Sequence, residues 1–242
     1  MRKRTAFDWA CLVFIILFLC ITVFPFVWII ITSFKTDADI HGAATYARKL
    51  LGYRYQILNQ ARENARRLGH SKGALFPWRT INGKECSYYY PSGKAQYHII
   101  GDIAYGIIQY YLITGDWDYM AQQGGEIVME TARIWYDLGN FYQGKFHIHC
   151  VTGPDEYTCV VNNNYYTNLT AKHNLTWAKK LYEQFKQNRQ LDRLKAKIGI
   201  TEEEIRGFAE AADAMYLPYD KELDINPQDD SFLSKKRWDM AS

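Results

Sequence analysis

No charged residue occurs between Trp9 and Phe34. The run reads WACLVFIILFLCITVFPFVWIIITSF and is 26 residues long. About 20 apolar residues suffice for a helix to cross a bilayer. A core helix of this length would carry a polar face, and this run has none. A cleaved leader has a shorter apolar segment, of about 7–15 residues. The run is therefore expected to be a transmembrane helix. Pro25 lies inside it, which membrane helices tolerate. Trp9, Trp28 and Phe34 fall where interfacial aromatics gather. Arg2, Lys3 and Arg4 precede the run, and Lys35 alone follows closely, beside Asp37 and Asp39. That asymmetry places the N-terminus in the cytoplasm and the remainder outside, as a single-pass membrane protein.

The rest of the chain has a different texture. Net charge over the 242 residues is +3, with no dense Lys/Arg stripe. Nucleic acid is not an expected partner. Of the five cysteines, Cys11 and Cys20 lie in the apolar run, and Cys86, Cys150 and Cys159 lie beyond it. There is no CxxC pair, and three downstream thiols are an odd number. This argues against a disulfide framework and against a zinc site, so no metal is expected.

Apolar residues at Tyr46, Leu50, Tyr53, Ile57, Ala61, Ala65 and Leu68 recur at gaps of three and four, which predicts one helix stopped by Gly69. Gly73–Ile99 is rich in Gly, Pro, Ser and aromatics and reads as a long ordered loop. Helices follow over Asp102–Thr114 and Tyr119–Leu138, closed by Gly115 and Gly139. A second long loop leads to helices over Thr167–Gln187 and Arg189–Lys197. The stretch TEEEI at Thr201 is a capping box, with Glu204 three residues on, and opens a last helix that runs toward Pro218. No period-2 strand stands out. Alternating short and long connections suit helical hairpins set in a ring, with the long loops on one rim.

The second loop reads HCVTGPDEYTCVVNNNYYTN, from His149 to Asn168. It places Asp155 and Glu156 side by side after a Gly-Pro turn. Glu156 has the chemistry of a general acid that protonates a leaving oxygen, and the adjacent Asp155 would raise the pair's proton affinity. Tyr157, Tyr165 and Tyr166 offer faces and hydroxyls. Asn162, Asn163 and Asn164 suit either sugar hydroxyls or the holding of the loop. A solvated Asp-Glu turn after Gly-Pro is the commoner use of these residues. In the first loop Trp78, Tyr88, Tyr89 and Tyr90 suit stacking on a sugar ring or packing in a core. His98 suits ligand binding, tuning of a neighbour's proton affinity, or a structural role. Asn168 and Asn174 each open an Asn-Leu-Thr glycosylation pattern, but both fall in predicted helix.

The stretch VTGPDEYTCVVNNNYYTN resembles glycoside hydrolase family 65, the inverting disaccharide phosphorylases. So do GALFPWRTINGKECSYYYPSGKAQYHIIGDIAYGI and the tail INPQDDSFLSKKRWDMA. The resemblance covers about residues 46–241 and lies closest to the kojibiose and trehalose branch. It implies an all-α fold, an (α/α)6 barrel, present here as about half of the toroid behind the single transmembrane helix. It implies that Glu156, the glutamate of the GPDEY motif, is the catalytic acid. Trp78, His98, Asp155 and Asn163 are the candidate substrate-binding residues. The implied reaction cleaves an α-linked glucose disaccharide with inorganic phosphate as co-substrate, with no cofactor, and yields β-glucose 1-phosphate. Family members are often homodimers and work in the cytoplasm.

The family's N-terminal β-sandwich, its early barrel segment and its later helices, which include the phosphate-holding loop, have no counterpart here. A half barrel would leave apolar helix faces unpaired, so the chain alone is expected to be inactive. The opening stretch, with FPFVWIIITSFKTDADI, resembles the first helix of a MalG-type sugar-transporter permease. Three segments result: 1–40, permease-like; 41–45, a junction; and 46–242, phosphorylase-like. The competing readings are a membrane-tethered sugar-binding module, a permease fragment, and a gene fusion without function.

Overall fold

The computed structural model describes residues 14, 18, 22, 23, 37–87, 89–155 and 159–236. The expected transmembrane run therefore lies outside the described residues apart from four positions. Among the described residues, no helix is long and apolar enough to cross a membrane. The chain divides into two compact units, residues 1–46 and residues 47–242. The second carries the elements that position the site.

The expected single helix before Gly69 is two: α1 (Asp37–Gln56) and α2 (Leu58–Arg67). The break falls at Ile57, whose backbone opens to φ −94°, ψ 8°. Ile57, Leu58, Ala61 and Ala65 are buried, whereas Tyr46 and Leu50 are exposed, so only the second half of the apolar stripe faces a core. Next come a hairpin of β1 (Thr80–Ile81) and β2 (Lys84–Glu85), a 3₁₀ turn (Pro91–Ala95) and α3 (His98–Thr114). A short α4 (Trp117–Tyr119) runs through a π turn (Met120–Gly124) into α5 (Gly125–Leu138). A second hairpin, β3 (Asn140–Tyr142) and β4 (Lys145–His147), leads to the acid-bearing loop. The chain then forms α6 (Tyr165–Gln187), α7 (Leu191–Ile198) and α8 (Glu202–Ala214).

The two hairpins correct the all-α expectation, and each has a local cause. Their turns, Asn82-Gly83 and Gln143-Gly144, hold both residues at positive φ (55°, 77° and 48°, 76°). That is the left-handed geometry of the tight turns that match strand twist. At Gly83 a side chain would also strike Ile57, 2.7 Å from an added Cβ.

Helix α6 is the hub, packing on α3, α5 and α8. The α3–α6 approach is close because Gly101 has no side chain: an added Cβ would stand 2.7 Å from Thr170. Between α5 and α6, fully buried Trp135 donates from Nε1 to Asn174 Oδ1 at 3.1 Å, and Asn174 Nδ2 donates to Val128 O at 3.1 Å. Asn168 is likewise buried and donates to Tyr216 O at 2.7 Å. Both Asn-Leu-Thr asparagines are thus structural amides, closed to glycosylation. Buried Glu126 and Glu130 of α5 take Arg62 of α2 at 2.6 and 2.9 Å, and Lys197 of α7 reaches Glu126 at 2.5 Å. Buried carboxylates are tolerated only with such partners.

The capping box at Thr201 is present. Its hydroxyl accepts from Glu204 N, and Glu204 Oε2 accepts from Thr201 N. Helix α8 ends at Ala214, short of Pro218, because the chain turns onto β4: Tyr216 N donates to Phe146 O at 2.9 Å. Tyr105, Leu112 and Ile113 of α3 and Leu169 of α6 are exposed apolar positions.

Candidate active site

The loop between β4 and α6 is pinched at its neck. Val151 and Val161 exchange N–H···O bonds of 3.0 and 2.8 Å, and Asn163 N donates to Ile148 O at 2.8 Å. Cys150 N donates to Asn162 Oδ1 at 3.1 Å. Cys150, Val160 and Asn163 all adopt left-handed backbone, at φ 58°, 57° and 52°. For a β-branched valine this is a strained conformation, one that the surrounding structure must impose. Asn164 caps α6, its Oδ1 accepting from Thr167 N and Thr167 Oγ1, both at 3.0 Å. The neck thus presents Asp155 on an exposed turn at the entrance to a long helix. Glu156, Tyr157 and Thr158 lie outside the described residues.

Residues 225–235 form a strap across this loop. Gln228 O accepts from Tyr165 N at 2.9 Å and from Asn164 Nδ2 at 3.2 Å. The Gln228 side chain donates from Nε2 to Asp155 Oδ2. Asp230 N donates to Asn162 O at 3.2 Å, and Asn163 Nδ2 donates to Asp230 Oδ2 at 2.7 Å. Asp229 is buried and accepts from Ser231 N (2.8 Å), Ser231 Oγ (2.5 Å) and Lys235 Nζ (3.1 Å). Asn163, expected as a substrate contact or a loop holder, is 2% exposed, and both ends of its amide engage protein groups. In this structure it holds the loop. His147 stacks on Tyr216, centroids 4.8 Å apart, with its Nδ1 3.2 Å from Asn163 Oδ1.

The aromatic loop closes the other side. Thr152 N donates to Ala95 O at 2.9 Å, and Thr152 Oγ1 to Ser92 O at 3.0 Å. The Tyr90 hydroxyl lies 2.7 Å from Cys159 Sγ. Trp78 is half-buried, 5.5 Å from the Tyr90 ring, and the Arg79 guanidinium lies 4.3 Å above it and 4.9 Å from Tyr89. Glu85 ties this loop together, accepting from Trp78 N at 2.9 Å and from Ser87 N at 2.6 Å. A cleft of about 130 Å³ opens here, lined by Trp78, Glu85, Lys94, Gln96 and Arg67 among others.

His98 begins α3 and is buried. Its Nδ1 lies 3.0 Å from Asp102 Oδ2 and its Nε2 3.2 Å from Gln96 Oε1. The other Asp102 oxygen accepts from the Tyr166 hydroxyl at 2.6 Å. That bond, with burial and the Asp102 charge, pushes the Tyr166 phenol up to about 12. The result is a phenol–carboxylate–imidazole–amide chain that joins the first turn of α6 to the aromatic loop.

The structure thus gathers Asp155, Asn163, Trp78 and His98 around two loops that share hydrogen bonds. Gln228, Asp230, Asp102 and Gln96 escape a reading of the sequence. Asp102 alone had a local signal, four helical residues beyond His98. Among the described residues, no cluster of three or more His, Cys, Asp or Glu side chains could hold a metal ion, and Cys86, Cys150 and Cys159 form no disulfide. Carboxylate, aromatic faces and fixed amides in one rim suit a polyhydroxylated ligand and proton transfer to its oxygen.

The chain is similar to known proteins in sequence and fold. The model of the glycosyl hydrolase family 65 central catalytic domain matches residues 40–242, beginning a few residues ahead of where the sequence resemblance starts. An alpha,alpha-trehalose phosphorylase of Geobacillus stearothermophilus is 60% identical over 196 residues, covering 80% of this chain and 26% of that protein. An alpha,alpha-trehalose phosphorylase of Thermoanaerobacter brockii is 52% identical over 79% of this chain and 25% of its own length. A solved structure described as a kojibiose phosphorylase from the human microbiome superposes with a TM-score of 0.71 at 30% identity, over 78% of this chain and 28% of that one. The chain spans about a quarter of the length of the curated relatives it matches.

Proposed function

The chain belongs to glycosyl hydrolase family 65, and from that premise we propose that its loops form part of the site of an inverting phosphorylase acting on α,α-trehalose. The observation that carries the reading is the 60% identity to a trehalose phosphorylase over the segment that holds both loops. The identity of 30% to the kojibiose-type structure makes kojibiose the lesser candidate.

In this reading Glu156 donates its proton to the interglycosidic oxygen as the bond to the anomeric carbon breaks. A phosphate oxygen forms the new bond to that carbon from the opposite face. The products are glucose and β-glucose 1-phosphate, and the proton leaves with the released sugar. Phosphate is itself the nucleophile, so no second catalytic carboxylate is required. Trp78 offers a face to a sugar ring, Asp155 sets the charge beside the acid, and His98 orients Asp102 and Tyr166. Residues 46–242 exchanged into the Geobacillus stearothermophilus relative provide the test. The expected result is phosphate-dependent release of the β anomer, with trehalose preferred to kojibiose and maltose. The α anomer, or free glucose alone, would contradict the reading.

The uncharged run Trp9–Phe34 supports a second proposal, a membrane anchor with its N-terminus in the cytoplasm. Retention of the full chain in membranes after alkaline carbonate extraction supports it, and release contradicts it.

A further inference from the structure

Asp102 of α3 and Tyr166 of α6 meet where the two helices approach closely, at Gly101 and Thr170. Asp102 Oδ1 accepts from the Tyr166 hydroxyl at 2.6 Å, and Oδ2 lies 3.0 Å from His98 Nδ1. A carboxylate has about four lone-pair sites on its two oxygens. One donor on each oxygen leaves a further acceptor position on each, side by side. These positions reach solvent, because the Asp102 side chain is 37% exposed. Two fixed acceptors at this spacing match two adjacent hydroxyls of one sugar ring, each donating to the charged group. The surroundings fit the same ligand. Tyr105, one helical turn beyond Asp102, is exposed, and its ring stands 5.4 Å from His173 of α6. Its charge adds to the Asp102 bond, the burial and the Asp102 charge that raise the Tyr166 phenol. Leu169 and His173, three and seven residues beyond Tyr166, share its side of α6. Burial and the Lys180 charge hold His173 below its ordinary 6.5, so its neutral imidazole can donate as well as accept.

We propose that Asp102 is a hexose-binding residue on the α3–α6 face: its carboxylate accepts two adjacent hydroxyls of one sugar ring, with Tyr105 and Leu169 against the ring's C–H surface. Tyr166 and His98 act through Asp102. Each takes one lone pair and fixes the carboxylate plane, so that the remaining two point to the ligand. The link to catalysis rests on the proposed phosphorolysis, but the binding chemistry does not need turnover.

The test is a calorimetric titration of the full chain with glucose, and with deoxyglucoses that each lack one ring hydroxyl. The unaltered chain is expected to bind glucose, and to lose at least about tenfold in affinity when either of two adjacent hydroxyls is missing. Asp102→Asn is expected to weaken glucose by a similar factor and to stop distinguishing those two analogues. Tyr166→Phe breaks the same joint between α3 and α6 but keeps the carboxylate, and is expected to cost about threefold or less. A purely structural joint would weaken equally in both variants. The analogue series on the unaltered chain carries the test if Asp102→Asn loosens the fold. No glucose binding, equal losses in the two variants, or an Asp102→Asn chain that still separates the analogues would overturn the proposal. Binding that follows the expected pattern, with no β-glucose 1-phosphate from the exchange protein, would leave the Asp102 site and remove the phosphorylase reading. Phosphorolysis with an unchanged KM in an Asp102→Asn exchange protein would remove the site and leave that reading.

Discussion

Asn163 and Asp230, 67 residues apart in sequence, meet at 2.7 Å, the asparagine amide donating to the carboxylate. Asn163 Oδ1 at the same time accepts from Ile148 N at 3.3 Å. One buried side chain therefore joins the start of the acid-bearing loop, its end and the strap.

Removing Asp230 leaves the buried Asn163 amide unmatched, which costs about 1–3 kcal/mol. Asp230→Ala is expected to lower stability by about that amount, and Asp230→Asn, which keeps an acceptor oxygen, by less. Asn163→Ala adds the strain of an alanine at φ 52° and is expected to cost more than Asp230→Ala. Urea unfolding midpoints check the ranking. Equal midpoints for the alanine variants and the unaltered chain would show that the node holds nothing.

Glu204 caps α8 and also takes Arg133 at 2.8 and 3.1 Å. Burial alone would raise its carboxyl. The Arg133 hydrogen bonds and charge, the Thr201 N–H and the Lys72 charge outweigh burial and hold it below its ordinary value of 4.5. A carboxyl depressed in the folded state stabilises above its unfolded pKa, and that stability is lost as pH falls through the folded value. Stability is therefore expected to decline as pH drops below about 4.5. Arg133→Met is expected to cost roughly 2–4 kcal/mol at neutral pH and to flatten the part of the acid decline due to Glu204. Denaturation at neutral and acid pH, in both proteins, measures it.

The Tyr166 phenol gives the opposite sign. It is raised to about 12 from an ordinary 10.0, mainly by its bond to Asp102. The bond's contribution is full below the ordinary value and disappears as pH rises through about 12. Asp102→Asn is expected to bring the Tyr166 midpoint down toward 10, read from tyrosine Cζ resonances with Tyr166→Phe as the assignment. A midpoint that stays put would place the cause elsewhere.

Much of the fold was legible. Gly115, at φ 65°, closes its helix, and the Thr201 box opens another. These are local features, written in a few adjacent residues. The hairpins are harder to read, because strands of two and three residues carry no visible alternation. The signal lay in Asn82-Gly83 and Gln143-Gly144. The break at Ile57 was not legible: the apolar spacing runs through it unchanged, and only the fold brings its side chain close to Gly83. The site divides in the same way. Trp78, His98 and Asp155 announce themselves by type and setting. Gln228 and Asp230 do not, because they matter only through contacts with residues more than sixty positions away.

In the proposed phosphorolysis Glu156 supplies the proton. The most direct measurement compares β-glucose 1-phosphate release from trehalose and phosphate by the residue 46–242 exchange with and without Glu156→Gln. A loss of at least about 10²-fold with trehalose is expected, since positioned acid catalysis contributes about 10²–10⁴, with folding unchanged. Equal rates in the two proteins would contradict it.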